Sequence, residues 1–331
     1  MRQTRIQKEA LQSHLDWPYD LFITCASFED RSLVVGNSVD PTGFGSAIIA
    51  SSDDLTSSNL GQNKGYLLDR FSNRGKDIQL DINRPLKTAD TLFNALEGYA
   101  NTSSILVDIT TFTHEWLLIL LFVLKEQGIK SENVTLAYAS ASEYSIGESL
   151  DDKWLSKGVL DVRTVLGYSG ELDPLLPTHL VVLVGFENHR ATHLIDAIDP
   201  VALTLGHGAS GSETDPKHRE ANQRFYDLVL ESEIFRSNVK SFSFSCSDPD
   251  AARRALDEAC SKYVDYNHII APMNTKLSTV ASAFFGFDHE RVQLCYAQPV
   301  SYNKKGYSRP SGAIYVIRLG SGCWSYNHET V

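Results

Sequence analysis

The sequence predicts an α/β protein made of two tandem Rossmann-like domains with parallel sheets, produced by an internal duplication and related by a pseudo-twofold axis. Apolar runs that resemble strands alternate with helical patterns along the 331 residues. The runs are continuously apolar, as in strands buried on both faces of a parallel sheet. Segments of the first half also recur, in the same order, in the second half. Repetition of this kind indicates the architecture more strongly than any single motif.

Two pairs of segments define the duplication. LFITCASFEDRSL, from Leu21, resembles LVVLVGFENHRATHL, from Leu180, because each is an apolar run followed by Phe-Glu and a nearby Arg. VTLAYASASEY (134–144) resembles VQLCYAQPVSY (292–302), and both pairs share an offset of 158 residues. The order and the common offset make a chance match improbable.

Each copy predicts the same succession of elements. In the first copy, strands are expected at 20–26, 46–51, 77–82, 103–109 and 133–139, and helices at 29–38, 87–100 and 113–128. In the second copy, strands are expected at 179–185, 201–205, 239–245, 267–272 and 291–297, and helices at 188–197, 216–233, 249–263 and 276–286. A last strand is expected at 311–319. The predicted domains are a helical lead-in (1–18), a first Rossmann-like domain (19–166), a linker with Gly and Pro (167–178) and a second domain (179–331).

Composition excludes several classes of protein. Thirty Lys and Arg stand against 41 Asp and Glu, a net charge of −11, which disfavours a broad surface for duplex DNA. A local pocket for a small anionic ligand remains compatible with this charge. The longest apolar run, Trp116–Leu124, has nine residues, whereas a membrane-spanning helix needs about 20. We therefore expect a cytoplasmic protein that does not enter membranes.

The cysteines and histidines do not predict a metal site. The five cysteines are an odd number without a CxxC pair, and the ten histidines are scattered, so reduced thiols are the simplest interpretation. Patterns for NAD binding and for P-loop nucleotide binding are absent from the sequence as well. We therefore predict no metal and no cofactor.

Polar residues follow the first predicted strand of each copy. Ligands bind beyond the carboxyl ends of strands in open parallel sheets, so these positions are candidate sites. Glu29 and Arg31 occupy this place in the first copy, and Glu187 and Arg190 in the second. Each pair can bind a ligand, but it can equally form an internal ion pair or cap the following helix.

Polar residues also follow the fourth strand of each copy, where a helix begins. The candidate ligand-binding residues there are Asp108, Thr110, Thr111 and Thr113, with Asn274, Thr275, Lys276 and Ser278 as counterparts. Hydroxyls and free N–H groups at a helix N-terminus suit a phosphate, although the same residue types also serve as plain caps. Tyr302 and Lys304 combine an aromatic ring with a cation, which suits a nucleotide or a solvated loop. If there is catalysis, His114, Glu115 and Lys276 are the candidate acid, base or charge-stabilising groups.

The segments ILVDITTFTHEW and IIAPMNTKLSTV resemble the core motif of CARF-type Rossmann domains. Asp108-Ile-Thr-Thr matches the Asp-x-Thr element of that motif, and Asn274-Thr275-Lys276 matches its Thr-Lys element. The glycines usual in that turn are absent from both copies. A tandem pair of such units is similar to the SAVED domains of bacterial antiviral signalling. The resemblance implies a sensor of cyclic oligonucleotides in prokaryotic antiviral defence, with the ligand at the interface of the two halves.

The resemblance also bears on partners and on activity. Because the two copies use nearly all of the chain, the effector regulated by such a sensor would be a separate partner protein. The expected ligand is a small anionic nucleotide. Two alternatives remain open: a nucleotide-processing enzyme similar to a ring nuclease, and a protein-interaction subunit with Trp116–Leu124 as part of an interface. The latter segment is equally well explained as a buried helix.

Overall fold

The computed structural model describes residues 1–52, 58–144, 154–209, 216–233, 239–304 and 306–324. The chain divides into two compact units, of which the first comprises Met1–Ile146 with Lys304–Val331 and the second Gly147–Asn303. Each unit has its own mixed α/β structure around a largely parallel sheet. The predicted fold class, with two tandem Rossmann-like sheets, is confirmed.

The elements follow one another along the chain as follows. The first are β1 (Arg2–Gln7), α1 (Leu11–His14), β2 (Tyr19–Cys25), α2 (Val34–Asn37), β3 (Phe44–Ser52), α3 (Ser58–Phe71), β4 (Gly75–Leu80), α4 (Pro85–Leu96), β5 (Ile105–Asp108), α5 (His114–Glu126) and β6 (Val134–Tyr144). Next come β7 (Ser156–Lys157), β8 (Asp161–Thr164), β9 (Thr178–Leu183), α6 (Asn188–Ile198), β10 (Ala202–Ala209), α7 (Pro216–Ser232) and β11 (Val239–Ser245). The last are α8 (Pro249–Cys260), β12 (Asn267–Pro272), α9 (Lys276–Asp288), β13 (Val292–Gln298), β14 (Ser301–Tyr302) and β15 (Ser308–Arg318).

The sheet of the first unit has the strand order β1-β15-β6-β5-β2-β3-β4. The strands from β6 to β4 are parallel, whereas β15 runs antiparallel to both β6 and β1. The chain first builds outward from β2 to β4 and then returns to β5 on the other side of β2. The strand order therefore reverses between β2 and β5, which is where open α/β sheets bind their ligands.

The sheet of the second unit repeats this arrangement with the order β11-β10-β9-β12-β13-β8. Its strands are parallel except for β8, which pairs antiparallel with β13. The order reverses between β9 and β12, the counterparts of β2 and β5. A separate two-stranded ribbon joins β7 and β14.

The last strand of each copy of the duplicated sequence lies in the sheet of the other unit. β8, which ends the first copy, lies in the sheet of the second unit, and β15, which ends the second copy, lies in the sheet of the first unit. The compact units therefore differ from the predicted domains 19–166 and 179–331. Sequence similarity between the two final strands shows that they are equivalent, but it does not show which sheet each one joins.

Two predictions about elements are wrong. The lead-in 1–18, expected to be helical, begins with β1, which pairs with β15 from Arg2 to Gln7. Backbone pairing with the edge of β15 therefore outweighs the local helical pattern of the sequence. The helix expected at 29–38 is a 3-10 turn, Asp30–Leu33, followed by the single turn of α2. In addition, α3 was not predicted. It contains two glycines, and Leu60, Leu67 and Phe71 are its buried apolar residues, so its apolar face is narrow.

Apolar packing holds the candidate site residues in place. In the first unit the ring of Phe22 lies 5.1 Å from the rings of both Phe44 and Phe71, measured between centroids. Helix α5 begins where the Thr113 hydroxyl caps it by accepting the N–H of Trp116, and most of its side chains are fully buried. Within the described residues, none of the helices combines the length and the apolar character that crossing a bilayer requires.

Candidate functional site

The two reversals of strand order place the predicted site residues at the carboxyl edges of the two sheets. We call the residues that follow β2 and β5, with Tyr144 at the end of β6, the first edge. The residues that follow β9 and β12, with Tyr302 of β14, form the second edge. The structure thus groups the predicted residues, apart from Lys304, into two equivalent sets, each within its own unit.

At the first edge, Glu29 and Arg31 form a buried ion pair. The Glu29 carboxylate accepts from Arg31 Nη2 at 2.8 Å and from Nε at 3.0 Å. Arg31 also donates to the Ala139 carbonyl at 3.3 Å and to Ser308 Oγ at 2.8 Å. Burial opposes the charge, but the Glu29 carboxylate keeps the pKa of Arg31 well above its usual range. The guanidinium thus links the loop after β2 to β6 and β15 by hydrogen bonds. The pair therefore takes the form of an internal ion pair, one of the alternatives for these two residues.

Two tyrosines complete this cluster. Arg31 Nη1 donates to the Tyr144 hydroxyl at 3.3 Å, and the Tyr144 and Tyr138 hydroxyls are hydrogen-bonded at 2.9 Å. The guanidinium carbon lies 5.2 Å from the centroid of the Tyr144 ring, within the range of a cation–π contact. Burial raises the pKa of Tyr144 well above its usual value, so the phenol stays protonated.

Asp108 is buried at the carboxyl end of β5. Its carboxylate accepts from the Thr24 hydroxyl at 3.0 Å, from the backbone N–H of Thr110 at 3.1 Å and from the Thr110 hydroxyl. Burial raises the pKa of Asp108 to about 6, although these donors lower it. The Thr111 hydroxyl donates to the carbonyl of Cys25, which joins the loops after β2 and β5. These hydrogen bonds fix the conformation of the two loops that form the first edge.

His114 and Glu115, the candidate acid–base residues, occupy the first turn of α5. His114 is half-buried, whereas only 1% of Glu115 is exposed. The structure therefore leaves His114 as the more accessible of the two.

At the second edge, Glu187 and Arg190 repeat the ion pair of the first. Arg190 Nη1 donates to Glu187 Oε2, and both side chains are largely buried. The guanidinium carbon of Arg190 lies 5.4 Å from the centroid of the Tyr296 ring. The Tyr296 and Tyr302 hydroxyls are hydrogen-bonded at 3.1 Å, as Tyr138 and Tyr144 are in the first unit.

The loop after β12 repeats the helix start at α5 with different side chains. Thr275 caps α9 by accepting the N–H of Ser278 at 3.2 Å, and its hydroxyl donates to the Cys246 carbonyl at 2.8 Å. Asn274 donates to the Val184 carbonyl at 2.6 Å. The half-buried Lys276 is the first residue of α9, so a cation stands at the N-terminus of this helix.

The second edge also contains hydrogen-bond acceptors that lack a donor. In the part of the chain that the structure describes, Glu187 Oε1 and Asn274 Oδ1 are buried without a hydrogen-bond partner. The loops that carry Glu187 and Asn274 pack closely against each other. A Cβ atom built on Gly185 would lie only 3.2 Å from the Cα atom of Asn274. Buried acceptors without donors are unfavourable. A ligand amine or hydroxyl placed here would satisfy them.

Other residues were grouped differently, or missed, by the sequence patterns. Tyr302 lies in the second unit, whereas Lys304, half-buried, lies in the first, so the pattern that combined them does not describe a single unit. Asn222 of α7 is buried and accepts from Asn274 at 3.1 Å, and no motif in the sequence marks it. At the amino edge of the second sheet, His179, Cys260 and His268 come together in a way that their sequence spacing does not indicate.

No protein-family model and no curated protein sequence matches the chain. Among solved structures, a Type III CRISPR defence DNA nuclease activated by cyclic oligoadenylate matches with a TM-score of 0.50 and 8% identity. The match covers 81% of this chain and 64% of the nuclease chain, so this chain spans less than two thirds of that protein. A periplasmic ribose ABC transporter from Conexibacter woesei DSM 14684 matches with a TM-score of 0.21 and 14% identity, over 70% of this chain and 66% of its own. The likeness to the nuclease is one of fold.

Proposed function

We propose that this chain binds a nucleotide at the carboxyl edges of its sheets and acts as a nucleotide-sensing component of a prokaryotic antiviral defence system, together with a separate effector. The observation that carries the proposal is the combination of groups at the second edge. Two buried oxygen acceptors, Glu187 Oε1 and Asn274 Oδ1, lack donors beside a helix that begins with Lys276. A ligand that suits this combination carries both hydrogen-bond donors and negative charge.

A nucleotide has both properties. Its ribose hydroxyls and base amines are donors for the two oxygens, and its phosphate suits the lysine side chain at the start of α9. Among related small anions, sulfate and simple carboxylates lack the donors that Glu187 and Asn274 would accept from, and inorganic phosphate offers only its own hydroxyl. The arrangement therefore favours a nucleotide over a simple anion.

The fold supports a choice of nucleotide. One solved structure with a similar fold is a nuclease described as activated by cyclic oligoadenylate. The CARF-like segments around Asp108 and Asn274 indicate the same class of ligand. Cyclic oligoadenylate is therefore the first nucleotide to test, and adenine carries an exocyclic amine that can donate to a carboxylate or amide oxygen.

The test is equilibrium binding of labelled cyclic oligoadenylate to the full chain and to single variants. We expect Lys276→Ala to weaken binding about 10- to 100-fold, as expected when a hydrogen bond to a charged group is lost. Lys262→Ala is the matched control, because Lys262 is an exposed lysine at the end of α8, paired with Glu258. Equal affinity of the Lys276→Ala variant and the native chain would contradict the site assignment.

The same samples separate sensing from catalysis. A sensor binds the nucleotide and releases it unchanged, whereas a ring-nuclease-like enzyme converts it to linear products. Chromatography of the bound nucleotide after prolonged incubation distinguishes the two outcomes. We expect intact cyclic oligoadenylate, and complete conversion to linear products would replace the sensor proposal with the enzymatic alternative.

A further inference from the structure

Three potential metal ligands meet at the amino edge of the second sheet, opposite to the second edge. His179 and His268 are each the second residue of their strand, and they face one another in the register of β9 and β12. Cys260 is the last residue of α8. One ligand atom from each of the three side chains lies within 4.8 Å of the other two.

The geometry of the two imidazoles is close to that of a bound pair. His179 Nδ1 lies 3.0 Å from His268 Nδ1. Zinc binds histidine nitrogen at about 2.0–2.1 Å in a tetrahedral arrangement, which separates two such nitrogens by about 3.4 Å. Reaching that separation needs a shift of a few tenths of an ångström between the two nitrogens.

The surroundings hold His179 in the orientation that a metal requires. Its Nε2 lies 2.7 Å from Thr204 Oγ1, so Nε2 can carry the proton while Nδ1 presents its lone pair. Metal-bound histidines almost always use their second nitrogen in this way. The ring of Tyr263 stacks on the imidazole at 3.9 Å between centroids and fixes its plane.

The exposure of the three side chains suits a metal as well. His179 is fully buried and Cys260 is 5% exposed, whereas His268 is half-buried and gives access to the cluster. Two imidazoles and a thiol are ligands that zinc prefers.

We propose that His179, Cys260 and His268 form a zinc site that fastens the end of α8 to β9 and β12. On binding, the Cys260 thiol releases its proton to solvent and bonds to the ion as thiolate, both imidazoles bond through Nδ1 with their protons on Nε2, and a water molecule fills the fourth position. No electron transfer is involved. The site is independent of the proposed nucleotide site, and either one can fail without the other.

The test is titration of the metal-free full chain with cobalt, which replaces zinc and reports its ligands by absorption. We expect one equivalent of Co²⁺ to bind, with tetrahedral bands and a thiolate-to-cobalt charge-transfer band, and Zn²⁺ to displace it. In Cys260→Ser the charge-transfer band is lost. Cys295→Ala is the matched control, since Cys295 is also a buried cysteine of the second unit and lies outside the cluster.

A second variant keeps the test decisive if Cys260→Ser does not fold. Thr204→Val preserves the shape of the side chain and removes the hydroxyl beside His179, and we expect it to weaken Co²⁺ binding about 10- to 100-fold. An absent charge-transfer band in the native chain would overturn the proposal. So would a band that persists in Cys260→Ser, or one that disappears in Cys295→Ala.

Discussion

The guanidinium of Arg190 lies over the ring of Tyr296, 5.4 Å from its centroid. In the first unit Arg31, one position out of register with Arg190 at the offset of 158 residues, lies 5.2 Å from the centroid of Tyr144, which corresponds to Tyr302 in the repeat. Both units therefore have a glutamate, an arginine and two hydrogen-bonded tyrosines at the carboxyl edge, with the arginine over a tyrosine ring in each. The two copies have retained one cluster and diverged in its detail.

The buried pair of the first unit makes a stability prediction. Arg31→Met removes the charge and leaves the Glu29 carboxylate buried without its cation, so we expect the free energy of unfolding to fall by about 3–5 kcal/mol. Denaturant-induced unfolding, followed by circular dichroism, measures the change. Arg309→Met is the control, because Arg309 is exposed and its ion pair with Glu143 is long, at 4.0 Å. Exposed ion pairs contribute about 1 kcal/mol or less. Equal small losses in both variants would show that the buried pair does not stabilise the unit.

Asp108 makes a prediction about pH. Because burial raises its pKa to about 6 from the ordinary 3.8, the folded chain holds this proton more tightly than the unfolded chain. The contribution of Asp108 to the free energy of unfolding is therefore most favourable below about pH 4 and is lost as the pH rises to 6. The change amounts to about 3 kcal/mol.

The variant Asp108→Asn tests this, because a neutral amide cannot titrate. We expect the difference in unfolding free energy between this variant and the native chain to change between pH 4 and 7, and to be constant above that range. Asp90→Asn, on the exposed side of α4, controls for the general effect of removing a carboxylate. A difference that stays flat from pH 4 to 7 for Asp108→Asn would contradict the assigned pKa.

Helix α5 makes a prediction that separates core from interface. Leu120 is completely buried in the chain, so Leu120→Ala should lower the free energy of unfolding by about 2–5 kcal/mol through the cavity it creates. Leu175→Ala, at a position 89% exposed, should change it by less than about 0.5 kcal/mol. Thermal and denaturant unfolding of the two variants provide the comparison. A Leu120→Ala variant as stable as the native chain would contradict the buried-helix interpretation of Trp116–Leu124.

The second edge makes a prediction for a double-variant cycle. If Asn274 and Lys276 contact the same nucleotide, the losses in binding energy from Asn274→Ala and Lys276→Ala will not add, and the deviation should exceed about 0.5 kcal/mol. Titration of the native chain, the two single variants and the double variant gives the coupling energy. Strictly additive losses would contradict a single nucleotide held by both residues.

The sequence predicted most of the fold because the strands are buried on both faces and therefore read as apolar runs. The bounds of β11, β12 and α6 to α9 agree with the patterns to within a few residues. The exchange of β8 and β15 between the units could not be predicted from the sequence. Both strands pair through backbone hydrogen bonds, which do not depend on the side-chain pattern.

Parts of the candidate site followed from sequence because a strand end and a helix start both have local signatures. Thr113 and Thr275 cap the N-termini of α5 and α9, as their positions before the helices indicate. The two Glu–Arg pairs form internal ion pairs, which was one of the alternatives for these residues. The cluster of His179, Cys260 and His268 could not be found in this way. His179 is 81 residues from Cys260, and only the pairing of β9 with β12 brings the two histidines together.

The most direct test of the central claim is thermal unfolding of the purified chain with a panel of cyclic and linear oligoadenylates and adenine mononucleotides. A ligand specific for the folded state, present at 100 times its dissociation constant, stabilises a protein by about 2.7 kcal/mol, which is readily seen as a rise in Tm. The account predicts that at least one member of the panel raises the Tm of the native chain and of Lys262→Ala, and raises it less for Lys276→Ala. If no nucleotide changes the Tm of the native chain, or if Lys276→Ala responds as the native chain does, the proposed nucleotide site is wrong.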